Sequence, residues 1–236
     1  MFAGARYFFI GLGLIIKPGI RRFVVIPLII NVVIFSAVLW LGSRWFDQFL
    51  DKMLPTWLSW AEFILWPLFA LSYFLLLFYL FALLVNVIAA PFNDLLAEKV
   101  EQYLRGSTAT ESTDHNFWLE IPRSIANEIG KLLYFLLRSI PLLILFVIPG
   151  VNLFAPLVWF VFSAWILSLE YLDYPCSNHN ITFKDTRAKI RNNRLTCISF
   201  GSAVTGFTML PIINFIAMPA AVAGATKLYL EELEST

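Results

Sequence analysis

The sequence predicts an all-α integral membrane protein with two long transmembrane helices and two helical hairpins that enter the bilayer only part-way. Three observations predict it. Hydrophobic residues make up 59% of the 236 positions and charged residues only 14%, a balance that a water-soluble domain of this length does not show. Four stretches, 23–43, 63–93, 139–169 and 195–226, contain no charged residue. The last two are each interrupted in the middle by proline and asparagine.

The elements follow in chain order. Tyr7 to Ile16 is apolar but too short to cross a bilayer, and Lys17-Pro18-Gly19-Ile20-Arg21-Arg22 follows it in place of a small-residue cleavage site. The segment 1–22 therefore reads as an uncleaved interfacial helix and a loop. Residues 23–43 form the first span: 21 residues of helix reach roughly 31 Å, against a hydrocarbon core of about 30 Å. Residues 63–93, 31 in number, would reach roughly 46 Å, so the second span tilts or projects. It is expected to continue to 104, before a polar loop, Gly106-Ser107-Thr108-Ala109-Thr110.

The two late stretches read as hairpins over 131–169 and 195–230, with a cytoplasmic helix at 173–194 between them. Half of such a stretch is about 15 residues, or roughly 22 Å of helix, which falls short of a crossing. Their breaks are alike. Ile148-Pro149-Gly150-Val151-Asn152 leads to Ala155-Pro156, and Leu210-Pro211-Ile212-Ile213-Asn214 leads to Ala217-Met218-Pro219. Proline removes a backbone donor, and asparagine is suited to cap the returning helix. Two independent helix kinks are the plainer reading of the same pattern.

Basic residues set the orientation. Four Lys and Arg precede the first span, two lie between the spans, five fall in 94–138, five in 170–194, and Lys227 is the last. If both late segments enter and return, 15 of the 17 share one side. A single crossing at 139–169 would divide them far more evenly. The hairpin arrangement satisfies the positive-inside rule and places both termini in the cytoplasm. Trp40, Trp45, Trp57, Trp60 and Trp66 suit the interfaces.

Several chemistries are excluded. The two histidines, His115 and His179, and two cysteines, Cys176 and Cys197, do not complete a metal site, and a cytoplasmic Cys176 would stay reduced. Gly11-Leu12-Gly13-Leu14-Ile15-Ile16-Lys17 is no phosphate loop, because Ile16 and Pro18 stand where glycine and Ser or Thr are needed. No cofactor and no catalytic constellation is expected, so the chain does not read as an enzyme.

The local signal that carries chemistry is Lys17-Pro18-Gly19-Ile20-Arg21-Arg22. Proline then glycine ends one helix and starts another, whose first N–H groups and partial positive charge receive anions. Gly19 permits close approach to the backbone, and Arg21 and Arg22 add planar, permanently charged donors. Paired arginines at a membrane boundary also serve simply as topological anchors. For a path, the polar residues in apolar surroundings are Asn31, Asn86, Asn93, Asn152 and Asn214, with Glu98 at the cytoplasmic mouth. Asn152 and Asn214 could equally be caps. Glu98 could pair with Lys99 or Arg105, hold an arginine, or bind a coupling proton. Lys184, Arg187, Arg191 and Arg194 share a helical face, either as an anchor on anionic lipid or as a vestibule that concentrates anions.

The block Lys17-Pro18-Gly19-Ile20-Arg21-Arg22-Phe23-Val24-Val25-Ile26-Pro27-Leu28-Ile29-Ile30-Asn31 resembles the hallmark of the CysZ-type bacterial sulfate permeases. So does Asn86-Val87-Ile88-Ala89-Ala90-Pro91-Phe92-Asn93-Asp94-Leu95-Leu96-Ala97-Glu98-Lys99-Val100-Glu101. The resemblance covers nearly the whole chain and departs only at Ile20, where some relatives carry leucine. It implies sulfate entry across the bacterial inner membrane for assimilation and cysteine biosynthesis, through a homo-oligomer built from dimers with partly penetrating helices. It also implies sulfate binding by Gly19, Ile20, Arg21 and Arg22. Sulfate, membrane lipids and further copies of the chain are the implied partners, and nucleic acid is not. A non-conducting scaffold or accessory subunit of another transport system is the alternative. A membrane-embedded enzyme lacks the histidine-rich or paired-acid cluster it would need.

Overall fold

The computed structural model of the chain describes residues 3–53, 62–106 and 117–234, and all the regular structure in them is helical. The helices are α1 (Ala5–Leu14), α2 (Arg21–Met53), α3 (Glu62–Arg105), α4 (Phe117–Leu145), α5 (Ala155–Asn178), α6 (Phe183–Asn192), α7 (Arg194–Thr208) and α8 (Pro211–Leu228), with a π-helical turn at Tyr229–Leu233. The expected polar loop after Gly106, together with Trp57, Trp60 and His115, lies outside the described residues. Contacts divide the chain into two units, 25–92 and the combination of 1–24 with 93–236.

In the unit 25–92, α2 and α3 approach closely because Gly42 has no side chain. A Cβ there would lie 1.8 Å from the Tyr73 hydroxyl. That hydroxyl donates to the Val38 carbonyl at 2.5 Å. The remaining described faces are apolar and exposed, with Ile29, Val32, Val33, Leu68 and Leu71 among them, as expected of helices solvated by lipid tails.

The other unit holds the core. α1 lies against α8, and the contact again depends on missing side chains. A Cβ on Gly11 would meet the Ala220 carbonyl at 2.0 Å, and one on Gly224 would meet the Tyr7 carbonyl at 2.4 Å. The run that fails as a phosphate loop is thus a packing surface. Tyr7 is fully buried. Burial pushes its hydroxyl up to about 12, so it stays a proton donor, and it donates to Glu232 Oε1 at 2.9 Å. α1 is also tied to α7 by the Ala5 N–H, which donates to Ser199 Oγ at 3.2 Å. α5 and α7 cross at Gly201, where the Ser168 hydroxyl donates to the Cys197 carbonyl. Buried Thr205 and Thr226 donate to carbonyls of their own helices, Gly201 and Val222, so neither of these two hydroxyls is stranded in apolar surroundings.

Both late stretches break in the places that proline marks. Between α4 and α5 the chain turns through Gly150 at φ 83°, a left-handed conformation that glycine adopts without a Cβ penalty. Between α7 and α8, Leu210 is extended at φ −94°, ψ 109°, because the ring of Pro211 disfavours helical geometry in the residue before it. Asparagine does not cap either returning helix. α5 and α8 begin at Phe154 and Leu210 with no side-chain cap. Asn152 contributes only backbone at the turn, and the Asn214 N–H donates to the Leu210 carbonyl at 2.8 Å.

Three segments are long and apolar enough to cross a membrane: Arg21–Phe46, Ala155–Asn178 and Ile213–Leu233. α3 contributes a shorter apolar segment, Phe63–Leu75, among the described residues. The second arm of each late stretch is therefore longer than its uncharged run. α5 continues through Glu170 and Asp173 to Asn178, absorbing the start of the expected helix at 173–194, of which α6 keeps only Phe183–Asn192. It can do so because Lys131 Nζ of α4 sits 2.6 Å from Asp173 Oδ2, both side chains being almost buried. Lys131→Met should destabilise the protein by about 3 kcal/mol, because the Asp173 carboxylate loses its lysine at low dielectric, whereas adding Asp173→Leu should recover most of that loss. Thermal unfolding in detergent measures both, and equal melting of the single and double variants would contradict it.

Candidate functional site

The step from α1 to α2 is built by its backbone. The Lys17 N–H donates to the Leu14 carbonyl at 3.0 Å, closing α1. Pro18 has no N–H to offer, and Gly19 turns the chain at φ 90°. The Lys17 carbonyl then accepts from both Ile20 and Arg21 at 3.1 Å, while the Phe23 N–H donates to the Ile20 carbonyl at 3.0 Å. Among the described residues the N–H groups of Gly19 and Arg22 have no backbone acceptor. A Cβ built on Gly19 would touch nothing within 4 Å, so glycine is required there for its φ and leaves open approach beside the backbone.

Two apolar side chains hold this turn in place. Ile15 and Ile20 are buried with Tyr7, Phe8 and Leu14 in one core cluster. Ile20, expected in the binding set, is thus an anchor: its side chain is 2% exposed and its N–H is given to Lys17. Lys17, Arg21 and Arg22 point outward and are exposed. Among the described residues none of these three is ion-paired, whereas Arg6, Lys99, Arg105, Lys131 and Lys227 each have a carboxylate within 4.0 Å. Arg22 rests its guanidinium 5.0 Å above the Phe23 ring, which orients the planar fork without consuming its donors. The step therefore offers three cations and two backbone N–H groups in a short run, with no acceptor side chain among its residues. Such a set suits an unprotonated oxyanion.

The expected path residues whose side chains are described lie on different elements. Asn93 is buried on α3, its Nδ2 donating to the Tyr174 hydroxyl of α5 at 3.3 Å. Glu98 lies further along α3, where its Oε1 accepts from Gln102 Nε2 at 2.8 Å and lies 4.0 Å from Lys99 Nζ. It does not take Arg105. Asn152 is exposed at one hairpin turn and Asn214 half-buried in the first turn of α8. Asn31 and Asn86 fall on α2 and α3, their side chains outside the described residues.

Sequence reasoning passed over a charged cluster that joins three elements. Arg105 Nε donates to Glu101 Oε1 at 2.7 Å, and Arg105 also pairs with Glu234 after the π-turn. Glu101 contacts His179 Nε2 at 2.9 and 3.0 Å, and the His179 ring stacks on Tyr229 at 5.3 Å. Only the spacing of Glu101 and Arg105, one helical turn apart, signals any of this in the sequence. No group of three or more possible metal-ligating side chains forms among the described residues.

Among the described residues, three helices long and apolar enough to cross a membrane mark a membrane protein. Residues 7–219 match the family described as sulfate transporter CysZ/etoposide-induced protein 2.4, and the chain belongs to that family. It is 43% identical over 234 residues to a protein of Pectobacterium atrosepticum named sulfate transporter CysZ, covering 97% of this chain and 85% of that protein. The sulfate transporter CysZ of Salmonella typhimurium is 40% identical over 233 residues, covering 97% and 92% of the two chains.

Proposed function

We propose that this chain transports sulfate across the bacterial inner membrane, supplying it for assimilation and cysteine biosynthesis, and that the anion binds at the step after α1. The observation that carries the reading is the donor-only set of Gly19, Arg21 and Arg22, with Ile20 as its buried anchor and Lys17 beside it. Membership of a family described as sulfate transporters supports the choice of cargo. In this reading the protein is multi-pass, with α2 and α3 as full spans. The α4–α5 and α7–α8 hairpins enter from the cytoplasmic face, where both termini lie. The 15 residues of α7 reach roughly 22 Å, too short to cross alone, which favours that arrangement. Asn31, Asn86, Asn93, Glu98, Asn152 and Asn214 line the route in a homo-oligomer assembled from dimers and surrounded by lipid.

Selectivity follows from the chemistry of the donors. Sulfate carries no proton near neutral pH, whereas phosphate keeps at least one O–H that would find no acceptor in the set. An unmatched donor costs about 1–3 kcal/mol, or roughly 5- to 150-fold in affinity. Liposomes containing only this protein should take up radiolabelled sulfate, and halving uptake from saturating sulfate should need a phosphate excess of roughly 5- to 150-fold. No uptake would favour the accessory-subunit reading; equal competition by phosphate would remove the donor-only site.

A further inference from the structure

A second basic site lies between α4, α5 and α6, in a cavity of about 1300 Å³. Its charged edge carries Arg138 of α4 with Lys184, Arg187 and Arg191 of α6. One acid, Asp185, sits beside them, but it is engaged at the start of α6. Thr182 Oγ1 accepts from the Asp185 N–H and donates to Asp185 Oδ2 at 2.6 Å. Among the described residues none of the four cations is ion-paired. Two of them are gathered on a single ring, with the Arg138 guanidinium 5.2 Å and that of Arg187 4.9 Å from the centre of Tyr134. That ring is fixed from α5, where Trp165 Nε1 donates to the Tyr134 hydroxyl at 3.1 Å.

The rest of the cavity is apolar. Leu142 of α4 and Leu157, Val161 and Trp165 of α5 form its wall, and Leu157 and Val161 are exposed. One end thus favours a phosphate and the other a hydrocarbon chain. The volume exceeds the roughly 300–1,000 Å³ usual for small-molecule pockets, and an inorganic anion would leave the apolar wall uncovered. We propose that this cavity is a binding site for one anionic phospholipid, its phosphate among Arg138, Lys184, Arg187 and Arg191 and an acyl chain along Leu157 and Val161. Basic pockets beside membrane helices recognise anionic headgroups by this combination.

The test uses the full-length protein in detergent and titrates phosphatidylglycerol and phosphatidylcholine of matched chains, with binding followed by native mass spectrometry. Phosphatidylglycerol should bind about tenfold tighter, and Arg138→Gln with Arg187→Gln and Arg191→Gln should erase that preference while the gel-filtration profile stays unchanged. Millimolar inorganic sulfate or phosphate should not displace the lipid. Equal binding of the two lipids to the native protein, which needs no variant, would overturn the proposal. So would displacement by inorganic anion, which would make the cavity a vestibule for free anions. A change of oligomeric state in the triple variant with lipid preference retained would also overturn it and make the face an interface between copies. Alanine at Arg21 and Arg22 should leave the lipid preference intact, so the fate of the two sites is read separately.

Discussion

Alanine at both Arg21 and Arg22 is expected to abolish sulfate uptake while the protein still inserts and folds. Both side chains are exposed and have no carboxylate partner among the described residues, so their removal leaves no buried charge uncompensated, and the stability cost should stay within about 0.5 kcal/mol. The functional cost is far larger. Each charge-assisted hydrogen bond to an oxyanion contributes about 1.5–3 kcal/mol, so losing both should weaken binding by more than roughly a hundredfold. Arg21→Lys alone should fall between, because the charge remains while the planar two-point donor geometry is lost. Radiolabelled sulfate uptake into proteoliposomes, beside calorimetric titration of the same preparation, gives both readouts. Undiminished uptake by the double variant would place the site elsewhere.

Gly201→Leu should prevent the α5–α7 contact from forming and leave little folded protein. The first added carbon alone would come 1.8 Å from the Ala164 carbonyl oxygen and 2.4 Å from Ser168 Oγ. The clash is with backbone, which cannot turn away as a flexible side chain could. The helices must separate, and the hydrogen bond from Ser168 to the Cys197 carbonyl is lost with them. Close approach through small residues is a main source of attraction between helices in lipid, where no hydrophobic drive separates one apolar surface from another. The expected loss is at least about 3 kcal/mol, seen as aggregation on size exclusion and a melting temperature lowered by many degrees. Gly13→Leu, at a helical glycine whose Cβ would meet nothing within 4 Å, is the control and should be tolerated. If Gly201→Leu melts like the parent, the crossing does not hold this unit together.

Much of this architecture could be read from local chemistry. Uncharged runs announce helices for lipid, and Pro149, Gly150 and Pro211 announce breaks, because each acts on its own backbone. At the step after α1, Pro18, Gly19, Arg21 and Arg22 are neighbours in the chain, so the break and its charge can be read locally, whereas the anchoring of the turn by Ile15 and Ile20 cannot. What escaped the sequence depends on partners far along it. The reach of α5 past Asp173 rests on Lys131 in another helix. The cluster at Glu101 draws on His179 and Glu234 from separate segments. The capping role expected of Asn152 and Asn214 was a local inference that failed locally, since each returning helix starts without a side-chain cap. At α8 the extended residue before Pro211 already sets the start of the helix. The burial of Ile20 in the core cluster likewise depends on residues far along the chain.

The pairing of α1 with α8 has a consequence for biogenesis. α1 finds its seat against α7 and α8, far along the sequence, through Ala5 on Ser199, Gly11 on Ala220 and Tyr7 on Glu232. Because Ile15 and Ile20 belong to the same buried cluster, the cationic turn is anchored only once α7 and α8 have been synthesised. Contacts so distant in sequence form late. A nascent polypeptide in the translocon that lacks α7 and α8 thus carries its arginines without the anchored turn that presents them.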